Sequence, residues 1–141
     1  RAWMNGEFYE EAFTPVQRGL IETVHNENAD QSITGASGGA PTDDRVFALS
    51  ETESVIYFST PAARSDTGAA PVTEHAAEGP LSVSEYGTAD WWLRSPGTYG
   101  FATQFVDASG TPSLSGANVD LQYGVRPALW IGVAGTGEGT R

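Results

Sequence analysis

The chain has 141 residues, the length of one ordinary domain, and 39% hydrophobic and 11% aromatic content is enough for a packed core despite 17 Gly and 8 Pro. Cysteine is absent, which excludes a disulfide scaffold, a thiolate zinc site, an iron–sulfur cluster and a cysteine nucleophile. Seven basic residues, all Arg, face 18 acids for a formal charge of -11, which opposes binding to nucleic acid, and no apolar run approaches the ~20 residues needed to insert into a membrane.

In chain order, Thr14-Pro15-Val16-Gln17 opens a helix expected to run through about Val24, with a Thr cap, Pro at the first helical position and Gln closing a capping box. Phe13, just before the cap, is placed to pack back as a staple. Asn26 to Asp44 is polar and Gly-rich and reads as a long loop. Val46 to Leu49 is a short apolar run, expected as a buried strand that feeds a second helix. That helix starts at the Ser50-Glu51-Thr52-Glu53 capping box, buries Val55, Ile56 and Phe58, and stops before Pro61. Thr60 to Thr88 reads as a second long loop.

From residue 91 the texture becomes that of strands. Trp91 to Arg94 is aromatic and extended, and Ser95-Pro96-Gly97 marks a turn. Phe101 to Asp107 alternates, with Phe101, Thr103 and Phe105 on one face and Ala102, Gln104 and Val106 on the other, before a turn at Ala108-Ser109-Gly110. A hairpin follows from that pattern. Val125 to Val133 is expected as the last strand, with Pro127 at an edge or bulge, and the closing residues 134–141 as a flexible tail to a single domain over 1–133. A start at Arg1 without a leader suggests a domain cut from a longer polypeptide. The expected architecture is α+β, two short helices and a small twisted antiparallel sheet joined by long loops.

The catalytic inventory is thin. His25 and His75 lie in polar contexts without HExxH spacing and read as surface histidines; no Lys is available for Schiff-base chemistry or a phosphate loop, and no GxSxG motif occurs. Glu10-Glu11 and Asp43-Asp44 are paired carboxylates, but neighbours in sequence do not establish the fixed separation glycoside hydrolysis needs. Oxygen-rich stretches at Asn26, Glu27, Asn28 and Asp30, and at Asn118 and Asp120, leave calcium open without matching an EF-hand loop, so the residues name no metal and no cofactor.

Charge is also uneven. Residues 1–90 hold fifteen acids and four Arg, whereas residues 91–141 hold three of each. In the neutral part, Thr98, Tyr99, Phe101, Thr103, Gln104, Asp107, Thr111, Ser113, Ser115, Asn118, Asp120, Gln122 and Tyr123 form a Tyr/Ser/Thr/Asn mixture of the kind found in binding loops. Composition leaves two readings open there, a ligand-binding face or a sheet with ordinary polar loops. Trp91, Trp92 and Trp130 are read as core. Arg94 and Arg126, set among apolar strand residues, require that at least one be buried and hydrogen-bonded, because an unpaired buried guanidinium is too costly.

The blocks RAWMNGEFYEEAF, VFALSETE, WWLRSPG, a hairpin with an Ala-x-x-Phe-Val pattern and GVRPALWI, in that order over residues 1–131, resemble a bacterial domain family of unassigned function. Its closing hairpin and Arg-Pro strand are similar to those of the C-type-lectin-like fold of formylglycine-generating enzymes and of the variable proteins diversified by retroelements. The resemblance implies that fold, with the late strands as binding face. It departs where chemistry would be needed: the cysteine pair of the aerobic enzymes is missing, and so are the EPN, QPD and WND motifs of calcium-dependent sugar binding. The expectation is therefore a noncatalytic recognition module, extracellular or on a cell or phage surface, that binds a protein or glycan. The alternatives are a degenerate relative of the sulfatase-modifying enzymes and a structural domain of a surface protein.

Overall fold

The computed structural model describes residues 1–58 and 68–132. The expected stop at Pro61, part of the second loop, Val133 and the tail lie outside these residues. Within them the chain is a small α+β protein of short helices and short antiparallel sheets.

The first helical segment joins a π-helical turn at Met4–Phe8 to α1 (Tyr9–Ala12), with an irregular Gly6 between regular turns. Sequence reasoning missed it, although Met4 and Phe8, then Tyr9 and Phe13, repeat at the spacing that lines one helical face. α2 (Pro15–Arg18) begins at Thr14 with the expected capping box, both bonds present. It ends at Arg18 rather than Val24. Gly19 closes it, and the β-branched residues beyond it join other chain segments: Ile21 bridges Ile131, and Val24 enters β1 (Val24–Asn26). Phe13 packs back against the rings of Phe8 and Tyr9 rather than forward onto α2.

β1 pairs antiparallel with β2 (Thr42–Asp44), so both ends of the expected loop are strand and only the part between them is loop. Val46, Phe47 and Leu49 are buried as expected, but the run is not a strand; only Phe47 makes a ladder contact, to Ala128. α3 (Glu51–Phe58) has the Ser50–Glu53 capping box, since Glu53 N–H donates to Ser50 Oγ and Ser50 N–H donates to Glu53 Oε2. Its buried side differs from the expectation. Val55 and Ile56 are 47% and 61% exposed, while Ser54 is buried and Phe58 half-buried. α3 packs on the sheet through its capped end and Phe58, which leaves its middle apolar residues outward.

After the undescribed residues 59–67 come β3 (Ala70–Pro71), α4 (Glu74–Ala77), capped by Thr73, and β4 (Thr88–Ala89), which pairs with β3. These elements sit inside what the sequence presents as loop. β5 (Trp91–Pro96), β6 (Ala102–Val106) and β7 (Pro112–Asn118) form the three-stranded sheet, in chain order and antiparallel, as the hairpin pattern requires. Where a strand over 125–133 was expected, the described residues up to 132 form an irregular segment held by single bridges at Gly124, Ala128 and Ile131. Pro127 removes a donor there, which favours isolated pairings over a continuous ladder.

Among the described residues, two apolar clusters hold the fold. Phe47, Leu49, Trp91, Leu93 and Val106 pack under the sheet, while Met4, Tyr9, Ile21 and Val46 join the first helices to the bridging segment. Side chains of this size each stabilise the fold by about 1.5–3 kcal/mol when fully buried. Trp91 anchors the first cluster, and its indole N–H donates to the Gly68 carbonyl. Trp130 is not core: it is 49% exposed, because the bridges at Ala128 and Ile131 hold its backbone in place with the ring outside both clusters.

Candidate functional site

The late hairpin is built around two tight features. Asp107 closes the β6–β7 turn, where its carboxylate accepts from the N–H groups of Ser109 and Thr111 and from the Ser109 hydroxyl. Burial pushes the Asp107 carboxyl up, but these donors outweigh it and hold the group below its usual value. At the other end the strands close on one another with no room for side chains. A Cβ on Gly116, whose φ is +76°, would meet the Thr103 carbonyl oxygen at 2.5 Å, and one on Gly97 would meet the Ser115 oxygen at 2.7 Å.

On this frame the expected site residues separate into two groups. Tyr99 and Phe101, on the β5–β6 connection, are 64% and 60% exposed and lie in an offset stack, with centroids 5.5 Å apart and planes within 5°. Val119, 63% exposed, donates its N–H to the Phe101 carbonyl and extends the apolar surface. Thr98 ties this connection to β7 through the Ser115 carbonyl and to the 27–41 loop through the Thr34 hydroxyl. Ser115, Asn118, Asp120 and Gln122 are exposed, and Ser113 is half-buried with its hydroxyl 3.5 Å from that of Ser115.

Three expected site residues turn inward. Gln104 is fully buried at 0% exposure, with its amide donating to Glu51 Oε2 and the Pro96 carbonyl. It occupies the core face of β6, the face that alternation assigns it, so a polar residue type misled the composition argument. The Thr103 hydroxyl is spent on the Leu93 and Ser95 carbonyls at the β5 bulge. Tyr123 packs half-buried on Trp92 and Phe105, at centroid distances of 4.4 and 4.8 Å, and desolvation followed by the Asp90 charge raises its hydroxyl above the usual value.

Beside Gln104 lies a polar network absent from the expected site. Arg94 forms a two-pronged ion pair with Glu53 and also donates to the Ala48 carbonyl, while its backbone N–H donates to the Leu49 carbonyl. The Arg94 side chain is only 16% exposed, so one of the two strand arginines is structural, as expected. Burial pushes the Glu53 carboxyl up; Arg94 and the Ser50 N–H outweigh it and leave it below its usual value. The sequence holds both halves, an Arg among apolar residues and a Glu in a capping box, but nothing local joins positions 41 residues apart.

Of the residues weighed for calcium, Asn26, Asn28 and Asp30 have other partners, and Asn118 and Asp120 are exposed. Asn26 is buried against Asp44, the Asn28 side chain donates to the Ala40 carbonyl, and Asp30 accepts from the Gly38 N–H. Among the described residues no group of three or more His, Asp or Glu is placed to hold a metal ion. His25 and His75 are exposed, and His25 pairs with Asp43 at 2.7 Å. Among the described residues no helix is long and apolar enough to cross a membrane.

A small α+β domain with a braced late hairpin and an exposed aromatic pair is thus the class that the geometry defines. By comparison with known families, the chain belongs to the family described as a domain of unknown function, DUF6273, which it matches over residues 1–133. No curated protein and no solved structure matches it significantly.

Proposed function

We propose that this domain is a noncatalytic recognition module with a C-type-lectin-like fold, displayed outside the cell or on a cell or phage surface, that binds a protein or glycan through the exposed part of its late hairpin. The observation that carries this reading is the Tyr99–Phe101 stack. Two aromatic rings more than half exposed forgo burial that would stabilise the fold, yet they sit on a connection fixed by Thr98 and by the close strand approach at Gly97 and Gly116. Rigid, exposed aromatics supply contact area at low entropic cost and often dominate an interface. Ser113, Ser115, Asn118, Asp120 and Gln122 provide the adaptable polar surround. Gln104, Thr103 and Tyr123 act beneath this surface as supports. Retroelement-diversified proteins use their late strands in the same general manner, which supports the analogy at the level of fold.

The test is the double substitution Tyr99→Ser with Phe101→Ser, assayed on a glycan array and an array of bacterial surface proteins alongside thermal unfolding. The expected outcome is an unfolding midpoint close to that of the wild type with loss of the wild-type array signals. Retention of every wild-type signal by a folded double variant would overturn the proposal.

A further inference from the structure

Between the C-terminal end of α3 and the irregular segment that carries Arg126 and Trp130 lies a cleft of about 460 Å³. Phe47 and Leu49, members of the first core cluster, form part of its wall, and Tyr57, Phe58, Arg126 and Trp130 line it with them. That volume falls within the ~300–1,000 Å³ of small-molecule sites, which are mostly apolar with a few convergent polar groups. None of its lining residues belongs to the hairpin between Thr98 and Tyr123, so its reading does not depend on the one proposed there.

Stability alone does not explain two features of this cleft. The first is Trp130, an indole left exposed although its backbone is fixed: Ala128 pairs with Phe47, Ile131 pairs with Ile21, and the Trp130 carbonyl accepts from the Glu22 N–H. Together with Tyr57, which is also exposed, it places a large amphipathic ring at the cleft. Neither the indole N–H nor the Tyr57 hydroxyl makes a hydrogen bond among the described residues. The second feature is Arg126. Its guanidinium carbon lies 4.6 Å from the ring centre of Phe58 and 5.2 Å from that of Trp91, and burial pushes it below its ordinary pKa. A guanidinium held over aromatic rings still offers hydrogen bonds in its own plane, and its five donors are more than any one partner takes up.

The polar groups of the wall are of one kind. Guanidinium and indole donate and do not accept, the phenol can donate, and among the described residues Arg126 is the only charged residue of the wall. The backbone adds little, because Phe47 and Ala128 spend their N–H and carbonyl groups on each other and Pro127 has no N–H. An apolar cavity with donors and a cation calls for an apolar body that carries acceptor oxygens and a negative charge. The net charge of -11 opposes anions in general, so one is favoured only where the local wall holds a cation and no carboxylate. A carboxylate matches a guanidinium through two parallel hydrogen bonds, and a flat ring matches the aromatic wall. We infer that this cleft binds a small organic acid with one carboxylate on a flat aromatic body, the carboxylate on Arg126 and the ring against Trp130 and Tyr57.

The experiment is NMR titration of the full chain, resolved at amide and indole signals and at constant ionic strength, with phenylacetate, phenylacetamide, phenethylammonium, acetate and a tetrapeptide ending in phenylalanine. Phenylacetate is expected to shift the Trp130 indole signal and the Ala128 and Leu129 amide signals saturably. Phenylacetamide, close in shape but uncharged, is expected to bind about tenfold more weakly. Phenethylammonium, with the opposite charge, and acetate, without the ring, are expected to show no saturation. Trp130→Ala, at an exposed position outside both core clusters, is expected to keep the unfolding midpoint and to weaken phenylacetate about fivefold, the loss of one aromatic contact. Arg126→Gln, with folding checked by thermal unfolding, is expected to abolish the preference for phenylacetate over phenylacetamide. No saturable shift from phenylacetate, equal affinity for phenylacetamide or phenethylammonium, or full affinity in Trp130→Ala would each overturn the inference. Tighter binding of the tetrapeptide than of phenylacetate would overturn the assignment to a small acid.

Discussion

Arg94→Ala tests whether the α3–β5 junction is held by the network described above. The substitution removes the paired bonds to Glu53, the bond to the Ala48 carbonyl and the placement of the guanidinium 5.7 Å from the Phe47 ring centre. Breaking a fully buried ion pair by removing one partner costs about 3–5 kcal/mol, and a surface pair contributes about 0–1 kcal/mol. Side-chain exposures of 16% and 27% place this pair toward the interior limit. Glu53 keeps the Ser50 N–H and some access to water, which limits the penalty for its stranded charge. The expected loss is therefore about 2–4 kcal/mol, and at ~4 °C per kcal/mol for a domain of this size the midpoint falls by about 8–16 °C.

The same pair has a signature in pH. Because the folded carboxyl of Glu53 is held below its usual value, its contribution is present above the ordinary glutamate range and is lost as pH falls through the folded value. The stability gap between wild type and Arg94→Ala should thus be wide near neutrality and narrow in acid below about pH 4. Urea unfolding across that window, with Glu53→Gln completing a double-mutant cycle, is the assay. A single variant within about 0.5 kcal/mol of wild type, or a coupling energy near zero, would refute the reasoning, since ordinary surface substitutions behave that way.

Asp107→Ala should destabilise the protein by about 1–2 kcal/mol, because it strips the β6–β7 turn of an acceptor for several donors, and urea unfolding reads the loss. Tyr123→Ser should cost about 2–4 kcal/mol through loss of packing on Trp92 and Phe105, whereas Tyr99→Ser should change stability by about 0.5 kcal/mol or less; equal effects would refute the separation into supporting and exposed aromatics. His25 should titrate above the ordinary histidine value because of its bond to Asp43, and any stabilisation it gives is present at low pH and disappears as pH rises through that value. NMR titration of Asp43→Asn should bring it down; an unchanged midpoint would remove Asp43 as the cause.

What the sequence showed of the fold was whatever local chemistry determines. The Thr14 and Ser50 capping boxes, the Trp91–Arg94 strand and the hairpin from Phe101 through β7 all rest on interactions between residues a few positions apart, and all are present. The errors fall where distant partners decide. Ile21 and Val24 left the helix because residues near 131 and 44 offered pairing. Val55 and Ile56 follow the apolar pattern of a buried helical face, yet α3 meets the sheet through Glu51, Glu53 and Phe58. Val46 to Leu49 is buried without being a strand, because burial needs only neighbours, whereas a strand needs a continuous partner.

For the candidate site, residue type and chain direction gave conflicting signals, and direction was the better guide. Tyr99, Gln104 and Tyr123 look alike in a composition argument, since each is a polar-capable residue in a Gly- and Ser-rich stretch. Alternation along β6 separates them in part: Gln104 shares a face with Val106, and Val106 is buried under the sheet, so Gln104 had to be inside with it. Once inside, its amide can take up to four partners and, among the described residues, meets two. That shortfall was invisible in the sequence, because it depends on where Glu51 arrives from 53 residues away. A glutamine at a core position of a strand, on the face it shares with Val106, is a local conflict, and such conflicts concentrate where a fold carries function rather than stability. The conflict at Gln104 therefore marks the junction of α3 with β6, where Glu51 and the Pro96 carbonyl take its amide, as a part of the core held by polar bonds rather than by apolar packing.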